Sequence, residues 1–207
     1  MKATSPTVYV VDDDDAVRSA LRLLLKTVGL PVISFDSAQA FLDGYSDEAG
    51  GCVLLDVRMP GMSGPALQQQ LNLRGSILPV IFITGHGDVS MAVEAMQHGA
   101  FDFVEKPFHD QELLERVHAA LAHNAKSRQL LSERQSIRNR FETLTPRERE
   151  VLEHVTQGSS NKVIAYELSI SQRTIEIHRA RLMEKMEAPS LAHLVRMTLA
   201  LTPWVRQ

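Results

Sequence analysis

The sequence has one cysteine, Cys52, among 207 residues, which excludes an internal disulfide and any zinc site built from several thiolates. It has no run of about 18 apolar residues, the length that a membrane-crossing helix requires. The opening Met1-Lys2-Ala3-Thr4-Ser5-Pro6 lacks the apolar core of a signal peptide. A cytoplasmic protein with no membrane association is the expectation. No segment repeats closely enough to suggest a solenoid. Neither proline nor glycine occurs between Asp110 and Glu142, so nothing there interrupts a helix.

Hydrophobic residues at 44% and charged residues at 23% match an ordinary folded protein, and the length suits two modest domains. The net charge of −3 hides an asymmetry: of the 22 Lys+Arg and 25 Asp+Glu, residues 1–124 hold 8 and 16, residues 125–207 hold 14 and 9. An acidic module precedes a basic one, which suggests a cation partner for the first and a polyanion for the second.

The first half alternates two periods. Short β-branched or apolar runs (Val8–Val11, Val32–Phe35, Cys52–Leu55, Val80–Ile83, Phe101–Val104) each precede a stretch with helical spacing (Ala16–Val28, Ser37–Tyr45, Pro65–Leu73, Val89–His98, Asp110–His123). Five such rounds predict an α/β fold, an open parallel sheet wound with helices on both faces, because parallel strands need crossover connections. We place this domain at 1–123. Residues 124–142 read as a partly amphipathic helical linker, either rigid or a solvated connector. A wholly helical domain follows at 143–207. In it Thr145-Pro146-Arg147-Glu148 has the pattern of a capped helix start. Helices are expected from there to Gln157, over Asn161–Leu168, from Ser171 or Gln172 to Met186, and over Ser190–Leu201. A short helix, a tight turn and a longer helix make a helix-turn-helix.

In an open parallel sheet, ligands bind beyond the carboxyl ends of the strands, where strand order reverses. Asp12 and Asp13 follow the first strand, Asp56 the third, Thr84 ends the fourth, and Lys106 follows the fifth. Taken singly, each aspartate fits a helix cap or a solvated charge, and Asp14 or Asp15 is expected to cap the first helix. Together they describe one cleft. Carboxylates that close repel by roughly 4 kcal/mol per pair at an effective dielectric of about 20, so a cation belongs among them. Oxygen donors without thiolate or paired imidazole favour Mg²⁺. The set suits phosphoryl transfer to a carboxylate, with Asp56 attacking in line.

At these residues the chain resembles the response-regulator receiver family, through V-D-D-D-D at 11–15, L-L-D-V-R-M-P-G-M-S-G at 54–64, I-T-G-H-G-D at 83–88 and F-V-E-K-P-F at 103–108. The resemblance implies the CheY-like (βα)₅ fold, with Asp56 as phospho-acceptor. It implies that Asp12, Asp13, Asp56 and the Arg58 carbonyl hold Mg²⁺ and that Lys106 contacts the phosphoryl group. Thr84 and Phe103 would switch together. Phe101 reads as an ordinary core aromatic, and His86 and the other histidines, lacking ligand spacing, as structural or surface residues.

The third helix of the second domain carries basic residues around an apolar stripe, which suits either phosphate contact or a solvated amphipathic face. Residues 144–202 resemble the LuxR/NarL-type helix-turn-helix, through L-T-P-R-E-R-E-V-L at 144–152, N-K-V-I-A-Y-E-L at 161–168 and S-Q-R-T-I-E-I-H-R at 171–179. The last piece, with M-E-K-M at 183–186, is similar to the FixJ branch. By that resemblance Glu176, Ile177 and Ala180 read bases, and Asn161, Lys162, Ser171, Arg173, Thr174, His178, Arg179 and Lys185 contact the DNA backbone. The fourth helix offers a dimer face or packs within its domain. The whole chain resembles a FixJ-type two-component response regulator. That implies a sensor histidine kinase, promoter DNA and RNA polymerase as partners, and a homodimer on phosphorylation that activates transcription. Two other readings stay open. An aspartyl-nucleophile phosphatase would share the Asp, Lys and Mg²⁺ chemistry, but Arg58 stands where its second acid belongs; the helical domain could instead bind protein only.

Overall fold

The structure, a computed structural model, describes residues 6–46, 50–85 and 89–201, without the side chains at 89, 90 and 92. His86, Gly87 and Asp88 of the I-T-G-H-G-D motif lie outside the described residues. The chain divides into two compact units, Met1–Gln129 and Leu130–Gln207.

The first unit follows the expected order: β1 (Thr7–Val11), α1 (Asp15–Thr27), β2 (Val32–Phe35), α2 (Ala38–Gly44), β3 (Gly51–Asp56), α3 (Gly64–Leu73), β4 (Val80–Thr84), α4 (Val89–Gln97), β5 (Asp102–Glu105) and α5 (Asp110–Glu142). The five strands are all parallel in the order β2-β1-β3-β4-β5. Side chains alternate between the two sheet faces. Val8, Val10, Cys52, Leu54, Ile81 and Ile83 pack with Leu21 and Leu25 of α1 and with Leu113, Val117 and Leu121 of α5. Tyr9, Val11, Val53, Leu55, Val80 and Phe82 pack instead with Phe41 of α2, Leu67 and Leu71 of α3 and Ala95 of α4. Burial on both faces explains why these strands read as continuous apolar runs.

Two glycines admit close backbone approaches. A Cβ on Gly51 would lie 1.9 Å from the Thr7 carbonyl oxygen, and one on Gly64 would lie 2.3 Å from that of Asp56. At Gly64 the start of α3 therefore presses directly on the backbone of Asp56.

Helix α5 is unbroken for 33 residues. The sequence places the end of the first domain at 123, but the packing of that domain continues into the next residue. Asn124 is buried, its side-chain oxygen accepting from Gly51 N–H at 3.0 Å and its amide donating to the Ile77 carbonyl at 3.0 Å. These backbone groups at the amino ends of β3 and β4 would otherwise be left without those partners. At the other end, Ile137 and Phe141 pack into the core of the second unit. The expected linker 124–142 is thus shared between the units.

The second unit adds α6 (Pro146–Thr156), α7 (Asn161–Glu167), α8 (Gln172–Lys185) and α9 (Leu191–Leu201). Thr145, Ser160 and Ser171 cap α6, α7 and α8 through their hydroxyls. Between α7 and α8, Ser169 takes φ 54° while Ile170 N–H bonds the Ala165 carbonyl at 3.0 Å. That Schellman-type closure stops α7 and turns the chain sharply into α8. Val151, Leu152, Val155, Ile164, Ile175, Leu182, Met186, Leu194 and Met197 form the shared core. Among the described residues no helix is long and apolar enough to cross a membrane.

Candidate functional site

The chain leaves β1 to one side for β2 and then crosses back to β3 on the other, so strand order reverses between β1 and β3. Val11 pairs with Leu55, which puts Asp12 and Asp56 beside each other at the carboxyl edge of that crevice. Asp12 is 2% exposed. Its Oδ1 accepts from Asp14 N–H at 2.9 Å, and its Oδ2 accepts from Lys106 Nζ at 3.1 Å. The same ammonium donates to Asp56 Oδ1 at 3.0 Å, while Asp56 Oδ2 accepts from the Arg58 N–H at 2.8 Å. Lys106 reaches this point because its own N–H bonds the Thr84 carbonyl at 2.7 Å, which carries the end of β5 along β4.

Burial raises the Asp56 carboxyl above the ordinary carboxylate range; Lys106 and the Arg58 N–H pull against the rise and Asp12 adds to it. For Lys106, burial acts downward, but Asp56 and Asp12 outweigh it and hold the ammonium above the usual lysine value. The two rises differ in origin: burial lifts the Asp56 carboxyl, whereas the two carboxylates lift the Lys106 ammonium against burial. Cys52, earlier on β3, takes no part, since burial pushes its thiol up to about 12.

Thr84 is fully buried, and its hydroxyl has no hydrogen-bond partner among the described residues. An orphaned hydroxyl costs about 1–3 kcal/mol, and it stands at the end of β4, the strand beside Asp56. Phe82 pairs with Phe103 and Thr84 with Glu105, so Thr84 and Phe103 are diagonal neighbours on one sheet face. Phe103 is half-buried against the core on that face, and Phe101 packs into the core on the other.

Of the expected cation ligands, the structure joins Asp12 and Asp56 through Lys106 but leaves Asp13 exposed at the rim. Among the described residues no three His, Cys, Asp or Glu side chains form a closed metal cage. The donors present still suit Mg²⁺. They are hard oxygens, and three carboxylates less one ammonium leave a surplus charge that a divalent ion balances. Mg²⁺ also keeps several waters and takes only one or two carboxylates from a protein.

On α8, Ile175 and Leu182 face the core, as does Met186 at its C-cap, while Arg173, Glu176, Ile177, Ala180 and Arg181 are exposed. Glu176, Ile177 and Ala180 therefore share an outward face. Lys162 is exposed on α7. Arg179 donates to Asn161 Oδ1 at 2.8 Å, which ties the two candidates together across α7 and α8. Ser171 and Thr174 join through their hydroxyls at 2.8 Å in the α8 cap. His178 is half-buried, its Nδ1 without a partner among the described residues. Lys185 departs from the expectation. Its Nζ donates to Glu148 Oε2 at 2.7 Å and to the Thr143 carbonyl at 3.3 Å. The reason is electrostatic: Glu148 is 2% exposed, and a buried carboxylate demands a cation. Sequence reasoning misses that pair, which spans 37 positions. It also misses Arg18, which donates to the Asp12 carbonyl and to Asp15; the helical i,i+3 spacing from Asp15 is the signal that could have found it.

Residues 8–118 match the response regulator receiver domain family, and residues 142–198 match the luxR family of bacterial regulatory proteins. A receiver joined to a luxR-type DNA-binding domain defines a response regulator of transcription. The transcriptional regulatory protein FixJ of Azorhizobium caulinodans is 50% identical, over 93% of this chain and 91% of that protein. FixJ of Rhizobium meliloti is 48% identical, over 95% and 97%. Among solved structures, the response regulator StyR is 44% identical with a TM-score of 0.88, covering 95% of this chain and 99% of that one. The isolated N-terminal domain of FixJ is also 44% identical, with a TM-score of 0.55, over 58% of this chain and 96% of that one. The chain belongs to the FixJ-type response regulators.

Proposed function

We propose that a sensor histidine kinase phosphorylates Asp56 and that this modification promotes dimerisation and sequence-specific promoter binding, activating transcription with RNA polymerase. The observation that carries the reading is Lys106 bridging Asp12 and Asp56, with the buried Thr84 hydroxyl on the neighbouring strand lacking a partner among the described residues. An Asp56 oxygen attacks phosphorus as the bond to the donor's histidine nitrogen breaks, in line on the far side. Lys106 then exchanges its bond to Asp56 for one to the phosphoryl oxygens. Asp12, Asp13, Asp56 and the Arg58 carbonyl would hold Mg²⁺, which when bound neutralises charge developing on the transferred group. The Thr84 hydroxyl gains a partner in a phosphoryl oxygen, and Phe103 moves into the space the threonine leaves. A shift from 1:99 to 99:1 needs about 5.5 kcal/mol, which several charge-assisted bonds to a group of roughly −2 charge can supply.

A groove of about 600 Å³ runs between α1 and the segment after β5, lined by Leu24, Thr27, Pro107 and Phe108 with Lys106 among its walls. In a dimer, two α8 helices would enter major grooves about 34 Å apart or a multiple of that spacing.

Footprinting across genomic DNA with and without acetyl phosphate tests the reading. We expect protected sites whose occupancy rises with the phosphate donor. Protection indifferent to the donor overturns phosphorylation control, and no protection at all favours a protein-binding role. In the same assay Arg179→Ala should weaken specific and non-specific binding alike and flatten the salt slope by about one. An unchanged slope removes Arg179 from the phosphate contacts.

A further inference from the structure

The run Asp12–Asp15 is held by a chain of bonds that ends on Arg18. Asp12 Oδ1 accepts from Asp14 N–H at 2.9 Å, and Asp14 Oδ1 accepts from Ala16 N–H at 2.8 Å as the cap of α1. Arg18 closes the loop from the helix: Nη1 donates to the Asp12 carbonyl at 2.8 Å and Nη2 to Asp15 Oδ1 at 2.9 Å. Its side chain is only 13% exposed, whereas that of Asp15 is 82% exposed. A guanidinium beside an acidic turn would ordinarily be a solvated counter-ion, and this one instead commits its inner tooth to a backbone carbonyl.

That carbonyl belongs to the planar peptide linking Asp12 to Asp13. Fixing its oxygen fixes the plane and so the position of the Asp13 Cα, and the Asp14 N–H bond to Asp12 Oδ1 on the far side of Asp13 limits the rotation that remains. Asp13 is also the one member of the run whose carboxylate makes no hydrogen bond or ion pair among the described residues. The bonds around it thus hold an uncommitted, exposed carboxylate at the rim of the crevice that Asp12 and Asp56 flank.

We infer that Arg18 is a positioning residue for the divalent cation: by pinning the Asp12–Asp13 peptide it presets the rim carboxylate, and it acts on cation affinity rather than on the nucleophile. The inference rests on the cation site proposed above. Groups that orient metal ligands without touching the metal are generally worth about 10- to 100-fold in affinity. Simple electrostatics predicts the opposite sign, because deleting a positive charge next to an acidic cleft tightens cation binding.

Calorimetric titration of the full chain with Mg²⁺ separates the two. Arg18→Met, which keeps the aliphatic stem but neither bond, should raise the Mg²⁺ Kd about ten-fold or more. Arg18→Lys retains the charge and at most one bond, so it should fall between wild type and the methionine variant, and it stands in if that variant does not fold. In acetyl-phosphate labelling, both variants should need more Mg²⁺ for half-maximal rate yet reach the wild-type rate at saturation, a split that a general loss of structure would not give. Tighter or unchanged Mg²⁺ binding in the variants overturns the inference alone, as does a maximal rate that Mg²⁺ cannot restore. Absence of Mg²⁺ binding by the wild type overturns the site reading and this inference with it.

Discussion

Asp56→Asn is expected to take up no acyl phosphate from acetyl phosphate, and donor-dependent promoter binding should vanish with it. The substitution removes the attacking oxygen charge and leaves an amide, which is no nucleophile at neutral pH. It disturbs little else. The oxygen of the introduced amide can still accept from the Arg58 N–H, and the new side chain is nearly isosteric with the old. Stability should hold or improve, because burial and the neighbouring Asp12 already disfavour charge at this position; thermal unfolding of the two proteins in the absence of Mg²⁺ checks that. A variant that folds, binds DNA at its basal level and takes no label puts the phosphosite at Asp56. Full labelling of the variant would move the phosphosite elsewhere, and the bridge by Lys106 would then be a structural ion pair.

The strands are legible in the sequence because burial on two faces makes them uniform apolar runs, and observed boundaries lie within a residue of the expected ones: β3 runs Gly51–Asp56 against an expected Cys52–Leu55, and β5 runs Asp102–Glu105 against an expected Phe101–Val104. The convergence of Asp12, Asp56, Thr84 and Lys106 is legible for a topological reason, since each stands at the carboxyl end of a parallel strand. Contacts made by polar residues on helices are not. Arg18, Asn124 and Lys185 all lie in helices where periodicity assigns a polar side chain to solvent, yet each bonds a group inside its own unit. Asn124 shows the consequence for domain limits: the charge and composition change near it, but the sheet it serves holds it in the first unit. Sequence spacing carries no information about which buried backbone group or carboxylate awaits such a partner.

Glu148 supports the second unit from its first helical turn, and breaking its pair with Lys185 should be the most destabilising polar change there. Oε2 accepts from Thr145 N–H at 2.9 Å to complete the capping box, and from Lys185 Nζ at 2.7 Å. Thus one carboxylate ties the start of α6 to the end of α8. Only the carboxylate of this pair is buried, the Lys185 side chain being 34% exposed, so Lys185→Met, which strands the buried charge, should lower stability by about 2–3 kcal/mol in urea unfolding at pH 7, and Glu148→Gln, which leaves an ammonium that water can reach, by about 1–2 kcal/mol through its lost charge-assisted bonds. The double variant should lose less than the sum, because the unpaired charge disappears with its partner. A Lys185 serving only DNA phosphates would leave stability untouched. The pH dependence has a definite sign. Burial raises the Glu148 carboxyl, but Lys185 and the Thr145 N–H and hydroxyl outweigh it and hold it below the ordinary glutamate value. A carboxyl lowered in the fold contributes stability that is complete above the unfolded value, about 4.3, and is lost as pH falls through the folded value. The gap between wild type and Glu148→Gln should therefore be full at pH 7 and shrink only in acid below the ordinary carboxylate range. A gap that closes while pH is still near neutral, or slowed hydrogen exchange in α6 of the variant, would show that the ion pair does not hold this end of the domain together.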